Sequence, residues 1–196
     1  MELIKLEYNK ISSEKPLDEK LIKSFIKMYQ LTDTLFFKTI KKNKISASEY
    51  LENLKNIKNG SLESFCLIKN QRNLVGFYNL NINNNVLYKN FNNIMILKKK
   101  FNKEKFKVIC SILSEHFKMT RLPKKSLYID RIVINRKYQF QGYGKIILQN
   151  IINESEYKKI SLHVNKINKN ALNFYFRNNF IIYDENINFY TLIYNK

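Results

Sequence analysis

The sequence predicts a single α/β domain, of the α+β kind, with a mixed central sheet flanked by helices. Three observations carry that expectation. Strand-like apolar runs alternate with segments of helical period along the 196 residues. No stretch rich in Pro, Gly or Ser divides the chain and no internal repeat is visible, so residues 1–196 read as one domain. Two of the four glycines, Gly142 and Gly144, fall between a strand-like run, Leu127 to Ile134, and a helix-like run, Lys145 to Ile152. A chain so sparing with glycine places it where other residues resist the backbone geometry.

Glu2 to Tyr8 reads as the first strand. Leu21, Ile22, Phe25, Ile26 and Tyr29 recur at helical spacing within Leu17 to Tyr29, after Pro16. Ser46 and Glu49 have the spacing of a capping box, opening a helix that ends near Asn59-Gly60. Ser64 to Ile68 and Leu74 to Leu80 flank the polar stretch 69–73 and form a hairpin. Residues 81–126 are read as an insertion: a turn at Asn83 to Asn85, then a helix over Phe101 to Phe117 that follows Lys98-Lys99-Lys100. Leu127 to Ile134 is the central strand, Gly142 to Asn153 a helix, Ile160 to Val164 a strand and Asn168 to Asn178 a helix. Phe180 to Tyr183 and Phe189 to Tyr194 close the chain as a hairpin across Asp184-Glu185-Asn186.

Composition excludes several classes. No apolar run reaches the roughly 18 residues of a membrane span, and the first residues lack the basic start and apolar core of a signal peptide. The default compartment is the cytoplasm. Cys66 and Cys110 are the only cysteines and make no disulfide framework, and no Cys/His spacing suggests a metal site. The net charge of +19 invites a nucleic-acid partner. Lys, Asn, Ile, Tyr and Phe all have A/T-rich codons, however, so a biased genome accounts for the charge, and nucleic acid is the less favoured reading.

A strand-turn-helix junction with paired glycines presents backbone N–H groups at a helix N-terminus, a cradle for phosphate. Two rival phosphate motifs fit less well. A dinucleotide-binding turn needs a third glycine where Ile147 stands, and a P-loop needs Ser or Thr where Ile146 follows Gly144-Lys145.

Gln139-Phe140-Gln141-Gly142-Tyr143-Gly144 fits the signature Arg/Gln-x-x-Gly-x-Gly/Ala. Val164, Asn168, Ala171, Tyr175 and Asn179-Phe180 follow the spacing of a second motif. On these residues the C-terminal third resembles the GNAT superfamily of acyl-CoA-dependent N-acyltransferases. With their flanking strands the motifs span about 60 residues in the family's order. Arg136 stands where the family often has Pro, and Asn179 where it has Gly; Asn is the residue after Gly best suited to a left-handed backbone.

The resemblance implies acetyl-CoA as cosubstrate, a direct acetyl transfer without a metal, and a monomer or homodimer. It places the pyrophosphate on backbone N–H groups of Gln139, Phe140, Gln141, Gly142, Tyr143, Gly144 and Lys145, and the pantetheine arm along Ile132, Val133 and Ile134. Tyr175 matches the tyrosine that protonates the departing thiolate; its plainer reading is an aromatic anchor. Asn168 matches an asparagine that contacts cosubstrate or caps its helix.

Asp130 is a lone carboxylate inside an apolar strand, with the sequence parity of Tyr128, Ile132 and Ile134. It is the candidate base for the acceptor amine, set against the alternative of a salt bridge to a nearby lysine. His163 reads as a core histidine. In the family the acceptor site is built from the first helices and the last hairpin, here about Thr32 to Phe37 and Asp184 to Tyr190. Asp33 beside Phe36 and Phe37 suits a cationic amine of a small molecule or peptide. A tRNA-directed acetyltransferase of the toxin kind and a non-catalytic acyl-CoA-binding domain are the alternatives.

Overall fold

In the computed structural model the described residues are 6–10, 19–32, 65–82, 102–104, 106–107 and 120–196. The expected helix over 46–59, most of the one over 101–117, the basic run at 98–100, and Asp33, Phe36 and Phe37 lie outside them.

The described elements are strand β1 (Glu7–Lys10), helix α1 (Glu19–Thr32), strands β2 (Phe65–Asn70), β3 (Asn73–Ile82) and β4 (Leu127–Ile134), helix α2 (Tyr143–Glu154), strand β5 (Lys159–Asn165), helix α3 (Lys169–Phe176), and strands β6 (Ile181–Glu185) and β7 (Phe189–Asn195). The strands form one mixed sheet in the order β1-β2-β3-β4-β5-β7-β6. Among the described strands only β4 and β5 pair in parallel, and α2 makes the crossover between them. The β2–β3 turn is tighter than expected, because pairing continues to Asn70↔Asn73 and Gln71 takes a left-handed φ of 54°. The closing hairpin turns over Asn186 to Asn188, since β6 runs on to Glu185.

Alternation along β2 separates two apolar clusters. Cys66 and Ile68 join Val75, Ile129, Ile160, Leu162, Val164 and Leu192 beneath Ile147, Leu148, Ile151 and Ile152 of α2. Phe65, one residue away, points to the other face, where its ring meets Phe25, Tyr29 and Phe77 at centroid distances of 5.4–5.7 Å. The sheet is thereby covered by α2 on one side and by α1 on the other.

Two irregularities in β4 shape the site. The register with β3 steps from Asn79↔Arg131 to Leu80↔Ile129, leaving Asp130 as the extra residue of a bulge. Leu127 and Ile129 before it, and Ile132 and Ile134 after it, all pack against the α2-side core. The shared face of Asp130 with Ile132 and Ile134, expected from parity, is therefore corrected: the bulge reverses the alternation at Asp130. The second irregularity is a fork. β4 and β5 pair only at Leu127↔Ile160 and Tyr128↔Ser161. Beyond that point β5 pairs with β7 as far as Asn165, and β4 pairs with β3 as far as Ile134. Among the described residues, the β5-facing backbone edge of β4 from Asp130 to Ile134 has no strand partner.

Candidate active site

The turn after β4 is built by its own side chains. Asn135 caps a short 3₁₀ turn (Arg136–Tyr138), accepting from the Lys137 N–H at 3.2 Å, and donates through Nδ2 to the Leu74 carbonyl at 3.3 Å. Gln139 Nε2 donates back to the Ile134 carbonyl at 2.9 Å, and Gln141 Nε2 to the Lys137 carbonyl at 2.7 Å. Between these two clamped amides Phe140 has φ 61°. Gly142, φ 84°, is the N-cap of α2 and contributes no capping side chain. A side chain there would have space but the wrong backbone, so conformation is what requires glycine. At Gly144 a Cβ would make only ordinary contact with the Phe174 ring, at 3.5 Å, where α2 meets α3, so neither space nor backbone requires glycine there.

Lys145 and Ile146 both donate to the Gly142 carbonyl. The N–H groups of residues 140–144 have no backbone acceptor among the described residues. An anion placed against them would be bound by several donors and the positive end of the helix dipole. The donor set fits a pyrophosphate, and no acidic residue stands in the first turn of α2 to oppose it.

Ile132, Val133 and Ile134 lie half-buried on the free edge of the fork. Gly76 makes that geometry available, although nothing in the sequence marks it. It pairs with Ile134, and any Cβ there would collide with the Val133 carbonyl oxygen.

Tyr175 on α3 is half-buried, its ring edge-on to Phe174 at 5.1 Å and to Phe180 at 5.3 Å. It is an aromatic anchor, yet its hydroxyl makes no hydrogen bond among the described residues. Burial drives its pKa well above the ordinary tyrosine value. Asn168 is the N-cap of α3, accepting from the Ala171 N–H at 3.2 Å. Asn179, where the family's glycine would stand, takes φ 64°.

Asp130 accepts from Asn79 Nδ2 at 3.2 Å and lies 3.6 Å from Arg131 Nε, its side chain 34% exposed. Among the described residues Asp130 thus has a salt-bridge partner, the adjacent arginine. The Arg131 guanidinium in turn covers the Tyr29 ring at 4.9 Å. His163 on β5 has both ring nitrogens engaged: Nδ1 with the Tyr128 hydroxyl at 3.1 Å and Nε2 with the Thr120 carbonyl at 2.9 Å. A carbonyl only accepts, so Nε2 carries the proton, and Nδ1 accepts from Tyr128. Burial holds the His163 pKa below its usual value, against the opposing pull of the Thr120 carbonyl and of Asp130. With its proton directed to His163, the Tyr128 oxygen is left as an acceptor. The structure thus gathers Tyr128, Asp130, His163 and Tyr175 around the fork. No local motif singles out Tyr128 or Asn79 in the sequence; a tyrosine and a histidine on consecutive parallel strands is the available signal.

On the last hairpin Asp184 accepts from the Arg121 N–H at 2.9 Å, and Glu185 is paired with Lys166 at 2.6 Å. Among the described residues no cluster of His, Cys, Asp and Glu is gathered to hold a metal. No described helix is long and apolar enough to cross a membrane.

A family model described as the acetyltransferase (GNAT) family matches residues 25–180, a span that takes in the glycine turn, the fork and Tyr175. The chain belongs to the GNAT acetyltransferase family. No curated protein matches the sequence. Among solved structures, an acetyltransferase from Thermus thermophilus aligns over 100% of both chains with a TM-score of 0.58 and 10% identity. The PaiA N-acetyltransferase of Thermoplasma acidophilum, in complex with coenzyme A, aligns over 98% of this chain and 99% of its own, with a TM-score of 0.54 and 16% identity. Ard1 of Thermoplasma volcanium aligns over 97% of each chain, with a TM-score of 0.51 and 14% identity. At such identities the likeness is one of fold. The GNAT fold expected from the two motifs is the fold observed.

Proposed function

We propose that this GNAT protein transfers an acetyl group from acetyl-CoA directly to a primary amine of a small molecule or peptide. The observation that carries the reading is the fork: among the described residues, an edge of β4 without a strand partner leads straight into a turn whose N–H groups at 140–144 have no backbone acceptor, and the Tyr175 hydroxyl makes no hydrogen bond. The turn holds the pyrophosphate on the N–H groups of residues 140–144; those of Gln139 and Lys145, also expected to contribute, already donate to the Arg136 and Gly142 carbonyls. The arm lies along Ile132 to Ile134, whose backbone groups supply the hydrogen bonds that a neighbouring strand supplies elsewhere in the sheet. The coenzyme A bound to the PaiA relative supports the same ligand here.

The amine enters as its ammonium form and loses a proton to Asp130, directly or through water. Its nitrogen attacks the thioester carbonyl carbon, the C–S bond breaks, and the sulfur leaves as thiolate. A backbone N–H near Ile132 stabilises the oxyanion. Tyr175, protonated throughout the working pH range, donates to the departing sulfur. Its raised pKa makes it a hydrogen-bond donor first. The second amine proton, released as the amide forms, is passed through the Tyr175 hydroxyl to the sulfur, so Tyr175 ends protonated and the products are the acetylated amine and the free thiol of CoA.

The test couples binding to turnover. Acetyl-CoA at about a hundredfold over its dissociation constant adds about 2.7 kcal/mol, which raises the unfolding midpoint by roughly 5–10 °C for a chain of this size. Release of free thiol should then depend on an added amine and yield the acetylated amine by mass spectrometry. Binding without amine-dependent thiol release across small amines, peptide N-termini and lysine side chains would overturn the transferase reading in favour of an acyl-CoA-binding domain.

A further inference from the structure

Phe140 stands at the tip of the turn with 97% of its surface exposed. Its φ of 61° is one that aromatic residues avoid. The loop cannot relax by rolling the ring inward, because Gln139 and Gln141 on either side are bonded back to the carbonyls of Ile134 and Lys137. A bare aromatic ring is thus held out on the same turn that carries the N–H groups of residues 140–144 and the cationic residues Arg136 and Lys137. Apolar surface left in water contributes nothing to folding, and the ring has no neighbour among the described residues to justify its position.

We propose that the Phe140 side chain is the stacking platform for the adenine of the acyl-CoA, and so makes the protein discriminate the whole nucleotide from its pantetheine arm. The inference rests on the acyl-CoA reading above and adds a role for a side chain where that reading uses only backbone. With the pyrophosphate on the turn, the adenosine emerges at the loop tip, where the described residues offer one flat apolar face. Base–aromatic stacking needs only a π-face and solvent-facing room, and Phe140 has both. Arg136 and Lys137 lie within the same turn, with charge that suits the adenosine-side phosphates.

The experiment measures dissociation constants by titration calorimetry on the full chain with acetyl-CoA and with acetyl-4′-phosphopantetheine, which has the same thioester arm and no adenosine. Phe140→Ala should weaken acetyl-CoA roughly 5- to 150-fold and leave acetyl-4′-phosphopantetheine unchanged, while Phe140→Tyr retains acetyl-CoA affinity. Phe140→Gly should raise the unfolding midpoint of the free protein, since glycine accepts the left-handed backbone, and should still weaken acetyl-CoA. That pairing separates loss of the platform from loss of fold. Equal weakening of both ligands in Phe140→Ala, or no weakening of either, overturns the stacking role while the cosubstrate site stands. A wild-type protein that binds neither ligand overturns the cosubstrate reading and the stacking with it.

Discussion

The residues around the fork differ in what holds them, and that difference predicts what their removal does. Tyr175 is anchored through its ring, against Phe174 and Phe180, while its hydroxyl has no partner among the described residues. Tyr175→Phe therefore keeps the packing and orphans no buried group. The expected result is a midpoint shift of no more than about a degree or two, with kcat lowered about 10²- to 10⁴-fold and the KM for acetyl-CoA little changed; steady-state kinetics beside a melt measures both. A large stability loss with unchanged kcat would leave the ring as the whole role. Asp130 is held by Asn79 and Arg131, so Asp130→Asn removes charge as well as a base. If Asp130 takes the amine proton, the variant should recover activity as pH rises toward the pKa of the free amine, about 10.4 for a lysine-type acceptor. A loss of equal size at every pH would make Asp130 a partner of Arg131 and nothing more.

At the scale of elements, the C-terminal half is legible because each element carries its own local signal. Leu127 to Ile134 is an apolar run of strand length, and the strand is observed over those residues. Asn168 stands three residues before Ala171 as an N-cap should, and caps α3. Asn168→Ala is expected to cost about 1 kcal/mol, read as a lowered urea midpoint at unchanged slope. The bulge and the fork are not legible, since both are relations between strands. An extra residue in β4 has meaning only against the register of β3, and the divergence from β5 follows from what β5 pairs with instead. Parity therefore places Asp130 on the wrong face relative to Ile132. Gly76 carries no sequence signal for the same reason: its neighbour, the Val133 carbonyl, is far away along the chain. Gly76→Ala should force β3 away from β4 and so displace the strand whose opposite edge is proposed to hold the arm. Acetyl-CoA affinity should fall more than the fold loses stability, with binding at saturating ligand restoring part of the midpoint. A variant that melts lower but binds normally would mean that the β4 edge is not where the arm lies.

For the molecule as a whole, buried titratable groups of opposite kinds set a window of stability. Burial raises the pKa of Tyr8, Tyr78, Tyr128 and Tyr175 and lowers that of His163. Below about pH 10 each of these tyrosines is protonated in both states and its contribution is complete. Above it the unfolded chain releases protons that the folded chain retains, so the folded state binds more protons and stability falls as pH rises. His163 works in the other direction. It is neutral in the fold, so its contribution is complete above about pH 6.5; below that the unfolded chain takes up a proton the folded chain refuses, until its lowered pKa is passed. Stability should hold a plateau between roughly pH 6.5 and 10, with both shoulders assignable. Tyr128→Phe should flatten the alkaline shoulder by at most about 1.4 kcal/mol per pH unit and would also strip His163 of a hydrogen bond. The net charge of +19 is the competing cause on the acid side, because added positive charge repels whatever its position. Salt separates the two. Repulsion is screened with a Debye length of about 3 Å at 1 M, whereas the exclusion of a proton from a buried imidazole is not. Urea unfolding from about pH 5 to 11 at low and high salt, a range that brackets both reference pKa values, measures this directly. An acid shoulder that survives 1 M salt and is lost in His163→Asn assigns it to His163, and one that salt abolishes assigns it to the charge of the whole surface.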